Sequence, residues 1–260
     1  MNNNDILVIP DVHGRTFWRE AVLANPNNKI IFLGDYTDPY SDEQIGWEQT
    51  IAIFEEIIDF KRAHIDNVIL LLGNHDLSYV IGRQICNCRR ATTFLNKVCE
   101  LYKDNLDLFQ LAHKETVHGI DFIFTHSGVS YSWFEQHKEL VKVNTILEKK
   151  QDVVSFLNEH FNHGKPEPWF VNMLCDYSNF RGYSFFDFGS CVWSDVREWL
   201  TATPKIKPTE GFQVFGHTRL NNKPIISPGE FACLDCRKVF IINELAEIKQ
   251  YEQYENSCLE

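Results

Sequence analysis

Five times in this chain a short apolar run ends on a glycine-containing motif with a potential metal ligand, which limits the possible folds more than any other feature. Ile6-Leu7-Val8-Ile9 leads into Asp11-Val12-His13-Gly14, and Lys29-Ile30-Ile31-Phe32-Leu33 into Gly34-Asp35. Val68-Ile69-Leu70-Leu71-Leu72 leads into Gly73-Asn74-His75-Asp76. Phe122-Ile123-Phe124 precedes Thr125-His126-Ser127-Gly128, and the run from Phe212 to Phe215 precedes Gly216-His217-Thr218. Apolar runs without polar alternation read as strands covered on both faces. Helical stretches, Arg15 to Ala24 and Glu43 to His64, separate the first three runs. Strand, helix, strand, helix, strand predicts a mostly parallel sheet with helices on its faces, an α/β class.

Beyond these runs, residues 77 to 115 read as mainly helical, with Phe94, Val98, Leu101 and Leu108 on one face. A mainly helical insertion or cap is expected at about 131–200 within a single domain spanning residues 1–260. From Gly211 to about Tyr254 the chain is expected to be strand-rich, with turns at Pro228-Gly229 and Asn243-Glu244.

The formal net charge of −11, with no basic run longer than Arg89-Arg90, argues against a nucleic-acid backbone as partner, because that partner needs clustered cations. It does not exclude a small phosphorylated substrate, since metal ions can invert the local charge. No signal core or membrane-length apolar run is read, so no membrane association is expected and the cytoplasm is the expected compartment. The eight cysteines then read as free thiols. Cys233-Leu234-Asp235-Cys236 has no second close pair to complete a zinc site and reads as two ordinary thiols near a turn.

Ligands at the carboxyl ends of parallel strands converge on one crevice. The collected set is Asp11, His13, Asp35, Asn74, His126 and His217. Carboxylate, imidazole and amide together suit manganese, iron or zinc better than calcium or magnesium, which favour all-oxygen shells. Singly, each motif has an ordinary alternative: Gly73-Asn74-His75-Asp76 also reads as a turn and helix cap. Their ordered recurrence carries the metal reading.

In order and spacing, the motifs resemble the signature of the calcineurin-like metallophosphoesterases. The matching segments are Asp11-Val12-His13, Gly34-Asp35-Tyr36-Thr37-Asp38, Gly73-Asn74-His75-Asp76, His126-Ser127-Gly128 and Gly216-His217. The resemblance implies a β-sandwich flanked by helices, and two divalent ions, with manganese first and iron or zinc as alternatives. It implies that Asp11, His13 and Asp35 hold one ion and that Asp35, Asn74, His126 and His217 hold the other, with Asp35 bridging. Within the family, Val192-Trp193-Ser194-Asp195 is similar to a segment of the phosphoprotein phosphatase branch, and Val196-Arg197-Glu198-Trp199-Leu200 to its small bacterial members. One departure stands out: the protein phosphatases continue Gly-Asp-x-x-Asp with Arg-Gly, and here Pro39-Tyr40 follows. Neither residue can copy the bidentate grip of a guanidinium on phosphate.

The expected reaction is hydrolysis of a phosphate monoester by metal-activated hydroxide, with His75 protonating the leaving group and Asp38 orienting it. Alternatively, His75 only hydrogen-bonds the next loop. Arg197, and after it Arg181, are the candidate phosphate contacts; the plainer role for either is an ion pair tying down the insertion. The partner is then a phosphorylated substrate: a small phosphate ester, a nucleotide or a phosphoprotein. Activity like that of a serine/threonine phosphatase is the leading expectation. Hydrolysis of a nucleotide or dinucleoside polyphosphate comes second. A catalytically silent scaffold is third, and the complete ligand set argues against it.

Overall fold

A computed structural model of the chain describes residues 2, 4–81, 88–181, 187–201 and 205–252. From the N-terminus, the elements are β1 (Ile6–Ile9), α1 (Arg19–Ala24), β2 (Lys29–Phe32), α2 (Trp47–Ala63), β3 (Val68–Leu71), α3 (Asn74–Val80) and α4 (Leu95–Lys103). Strands β4 (Phe109–Gln110), β5 (Ala112–Val117) and β6 (Ile120–Thr125) follow. Helices α5 (Tyr131–Glu135), α6 (Asn144–Leu147), α7 (Val153–Phe161), α8 (Pro168–Leu174) and α9 (Val196–Thr201) then precede β7 (Phe212–Phe215). The chain closes on β8 (Ile225–Ser227), β9 (Phe231–Cys233), β10 (Phe240–Ile242) and β11 (Ile248–Gln250).

The strands form two sheets. One has six strands in the order β11-β10-β1-β2-β3-β4, and the other has five in the order β5-β6-β7-β9-β8. Strands β1 to β4 run parallel in the first, as do β6, β7 and β9 in the second. The apolar runs are therefore divided between two sheets, where the strand–helix alternation alone pointed to one.

Successive side chains of a strand point to opposite faces, so an unbroken apolar run needs two apolar neighbours. Ile6, Val8, Ile31 and Leu33 face the other sheet, where they meet Phe122, Phe124, Val214 and Leu234. Leu7, Ile9, Ile30 and Phe32 face outward and are covered with Trp18, Val22, Phe54 and Ile57 of the helical layer. On the far side, Trp199 of α9 covers Phe215 and Phe231, with ring centroids 5.2 and 5.4 Å apart. Each such side chain, fully buried, contributes roughly 1.5–3 kcal/mol.

Local chemistry trims the helices relative to the sequence pattern. Gly46 supplies an extended residue before α2, so the helix starts at Trp47 rather than at Glu43. Arg15 is drawn away from α1: Nη1 donates to the Asp11 carbonyl at 3.2 Å, and Nε meets Glu43 at 2.6 Å. The helical reading of residues 77–115 fails over its last part, where β4 and β5 form. There His118 (φ 51°) and Gly119 (φ 75°) make the tight turn that pairs β5 antiparallel with β6. That His-Gly pair, with alternation of exposed and covered residues along β5, is the hairpin signal the apolar spacing hid.

Candidate metal centre

All five motif-bearing runs end at the same edge, and the two sheets are stitched together there. His13 N–H donates to the Asp35 carbonyl at 2.7 Å within one sheet and Gly216 N–H to the His126 carbonyl at 2.8 Å within the other, while His217 N–H crosses between them to Asp11 Oδ1 at 2.8 Å. Every residue of the expected ligand set is present at this edge and buried: Asp11, His13, Asp35, Asn74, His126 and His217. His13, Asp35 and His217 hold left-handed backbone at φ 45°, 54° and 64°, as does Asp38 at 59°. Non-glycine residues in that region cost about 1–3 kcal/mol each and concentrate where function requires the geometry.

Asp35 stands at the middle. Its Oδ2 lies 3.5 Å from His13 Nε2 and 3.5 Å from His126 Nε2, while Oδ1 accepts from His75 N–H at 3.0 Å. His13, Asp35 and His75 present donor atoms within 4.8 Å of one another, and so do Asp35, His126 and His217. Asp11 Oδ2 is 4.0 Å from His13 Nε2, and Asn74 Oδ1 is 3.0 Å from His126 Nε2.

The imidazoles are aimed by their outer nitrogens. A backbone carbonyl can only accept, so His13 Nδ1 donates to Thr37 O and His126 Nδ1 to Leu33 O, each at 2.8 Å. Both rings thus turn Nε2 toward Asp35, the tautomer that leaves a lone pair for a cation. Burial holds His13 well below its ordinary pKa, keeping that lone pair uncharged. Burial, reinforced by Arg181 and His126, does the same for His217. His126 goes the other way: burial opposes its charge, but the Asp35 and Asp11 carboxylates win and push it up to about 10.

These residues fit divalent ions. His217 Nε2 is buried without a hydrogen-bond partner among the described residues, and His217 Nδ1 faces His126 Nε2 at 3.1 Å. An orphaned buried imidazole nitrogen is costly unless a cation or proton meets it. The two carboxylates that raise His126 would equally favour a cation at this place. Imidazole, carboxylate and amide oxygen form a borderline set suited to manganese, iron or zinc.

Gly73 shows how close the packing is. A Cβ built there would lie 2.1 Å from Asp35 Oδ1 and 2.7 Å from His126 Cε1. Gly73→Ala is therefore expected to lower metal affinity by about 10- to 100-fold while preserving the fold. Metal titration paired with thermal melting measures both effects; unchanged metal binding would show that the glycine is not confining Asp35.

His75 and Asp38 lie beside this cluster. His75 Nδ1 meets Asp38 Oδ2 at 2.6 Å, and Asp38 also accepts from the Tyr79 hydroxyl. Burial would lower the pKa of His75, but Asp35 and Asp38 together raise it. Because Nδ1 is committed to Asp38, Nε2 is the nitrogen left to act.

Arg197 and Arg181 share Asp195 at 2.8 and 3.2 Å. Arg197 also donates to the Phe180 carbonyl at 2.8 Å and is half exposed, with no contact to the cluster. Arg181 is the one that reaches the His217 loop, donating to Thr218 Oγ1 at 3.1 Å and to His217 O at 3.4 Å. The sequence similarity had ranked them in the opposite order.

Asp76 was visible only as a possible helix cap, and it is more than that. It accepts from the backbone N–H of Asp35 and Gly73 at 2.7 Å each, from Tyr36 N–H at 3.0 Å, and from the Tyr102 hydroxyl. One carboxylate thus caps α3 and fixes the loop that presents Asp35. The six described cysteines are free thiols, Cys233 and Cys236 among them.

The calcineurin-like phosphoesterase sequence profile matches residues 5–218, which takes in every one of these motifs. The chain belongs to that family. As a member, it is a metal-dependent phosphoesterase whose substrates are phosphorylated. The fold is shared with a cold-active protein-tyrosine phosphatase of a psychrophilic Shewanella, at 15% identity and TM-score 0.56, covering 96% of this chain and 80% of that one. A protein serine/threonine phosphatase from Saccharomyces cerevisiae matches at 15% identity and TM-score 0.53, over 97% and 81% of the two chains. No curated protein matches the chain. Among the described residues, no helix is long and apolar enough to cross a membrane.

Proposed function

We propose that this phosphoesterase is a phosphatase that hydrolyses phosphate monoesters at a centre of two divalent ions, with manganese first and iron or zinc as alternatives. Asp11, His13 and Asp35 would hold one ion; Asp35, Asn74, His126 and His217 would hold the other. The supporting observation is the position of Asp35, whose Oδ2 is 3.5 Å from both His13 Nε2 and His126 Nε2. When bound, the two ions acidify a water and neutralise charge on the phosphoryl oxygens.

The rest falls to the protein. His75 holds a proton on Nε2 for the leaving alkoxide, because Asp38 takes Nδ1 and favours the charged ring. Asp38 is itself fixed by Tyr79 and acts through His75. Arg181, steadied by Asp195, sits close enough to the His217 loop to steer the ester, while Arg197 braces the shared carboxylate. We assign the whole chain to one domain, with helices α5 to α9 as an insertion over the crevice.

The activity is serine/threonine phosphatase-like in its chemistry, and we rank small esters and nucleotides above phosphopeptides, because Pro39-Tyr40 in place of Arg-Gly changes how the phosphate site is built. The test is metal content after gentle purification, then a panel of small phosphate esters, nucleotides and phosphopeptides. Two metals per chain and turnover of small monoesters are expected. A chain that binds two metals yet turns over no monoester would defeat the reading. A phosphoserine or phosphothreonine peptide cleaved as efficiently as every small ester would defeat only the substrate ranking.

A further inference from the structure

Next to the metal centre three arginines gather on one aromatic ring. The guanidinium carbons of Arg89, Arg219 and Arg15 lie 3.8, 4.6 and 5.3 Å from the centroid of the Tyr40 ring. That ring also stands edge-on to His13, with centroids 4.8 Å apart. In a chain of net charge −11, such a concentration of cations beside a set of potential metal ligands calls for a reason.

Two of the three are already matched by acids. Arg15 pairs with Glu43 at 2.6 Å, and Arg219 with Asp42 at 3.1 Å and Glu43 at 3.5 Å. Arg89 differs: among the described residues it meets no carboxylate within ion-pair distance. Its Nη2 donates to the backbone carbonyl of Asp38 at 3.0 Å, and its positive charge is felt at the His75 ring. A guanidinium carries five N–H donors in a rigid fork, and an unmatched one at a cleft is poised for an anion.

The position of that guanidinium is informative. In the protein-phosphatase signature that this chain resembles, an arginine stands where this chain has Pro39. Here the Arg89 side chain crosses from another segment, anchors on the carbonyl of residue 38 and stacks on the ring of residue 40, so it straddles Pro39. Tyr40, which cannot itself grip phosphate, provides the platform that a cation stacks on. The ring it stacks on stands edge-on to His13, and the residue whose carbonyl it holds, Asp38, meets His75 through its carboxylate.

We propose that Arg89, braced by Tyr40, binds the substrate phosphate at the metal centre and replaces the arginine missing at position 39. This rests on the phosphomonoesterase reading and names the residue that orients its substrate. Arg219 and Arg15, held by Asp42 and Glu43, also pack against the Tyr40 ring and help to keep it in place.

The test uses the full manganese-loaded chain, with inorganic phosphate as the probe. Binding of phosphate is measured by titration calorimetry, and kcat/KM with phenyl phosphate, alongside metal content. Arg89→Ala is expected to weaken phosphate binding and lower kcat/KM by about 10- to 100-fold each, with two metals retained. Arg89→Lys should recover only part of this, since it keeps charge and loses the fork. Tyr40→Leu should shift both measurements in the same direction by a smaller factor. Phosphate binding within two-fold of the unsubstituted protein in Arg89→Ala overturns the proposal, as does a loss explained by falling metal content. The calorimetric arm needs no turnover, so inactivity of the unsubstituted chain would defeat the phosphomonoesterase reading without deciding the fate of Arg89.

Discussion

Replacing Asp35 with asparagine is expected to remove metal and activity together. Asparagine has nearly the same shape and keeps an oxygen to accept from His75 N–H, the 3.0 Å bond that Asp35 Oδ1 makes. What it loses is the negative charge that lies 3.5 Å from both His13 Nε2 and His126 Nε2. On the proposed assignment, in which Asp35 serves both ions, a neutral amide serves neither well, so both should be weakened at once. Loss of a group that merely supports a ligand costs about 10- to 100-fold in affinity, and loss of the shared ligand should exceed that. Metal analysis of the purified variant, with turnover measured in parallel, should show metal content and activity falling in step. Two metals per chain with near-normal turnover would remove Asp35 from the bridging position. His64→Ala, at the residue that follows α2, should leave both measurements unchanged.

His75→Asn should separate substrates by their leaving groups. The asparagine amide can still reach Asp38, so the loop is preserved, but no ring Nε2 remains to hold a proton. An alkyl phosphate departs as a strongly basic alkoxide and depends on that proton. An aryl phosphate departs as a stabilised phenoxide and depends on it little. General acid catalysis is worth about 10²–10⁴-fold, so kcat on the alkyl ester should fall by roughly that factor while the aryl ester falls far less. Equal losses on both esters would mean that His75 supports the metals instead. The structure makes that alternative worth testing, since His75 offers a donor atom within 4.8 Å of His13 and Asp35.

Much of the centre was legible in advance because its signals are local. A strand buried on both faces writes itself as a continuous apolar run, and its end is marked by glycine whatever the rest of the chain does. Asp11, Asp35, Asn74, His126 and His217 each follow such an end within a few residues, so their common edge could be read before any coordinates. The Asp38–His75 pairing was also anticipated, on chemical grounds, and the two groups meet at 2.6 Å. Local signals misled where two patterns competed. Phe94, Val98, Leu101 and Leu108 have helical spacing, and they drew the helical reading across β5, whose polar residues face solvent on one side of an edge strand.

Other features had no local signature. The division of the five runs between two sheets depends on which apolar face meets which, and identical runs serve either arrangement. Arg197 stood in the more suggestive motif, yet its guanidinium is spent on Asp195 and Phe180 O, and Arg181 reaches the centre instead. Arg89 and Tyr40, separated by two helices and a strand in the chain, come within 3.8 Å only through the packing of α2, β3 and α3. Residue type and strand ends are properties of a few consecutive residues, so the order of the chain carries them. Which charge is left unmatched, and what it faces, is a property of side chains brought together from 40 to 200 positions apart, and only the packed core sets those distances.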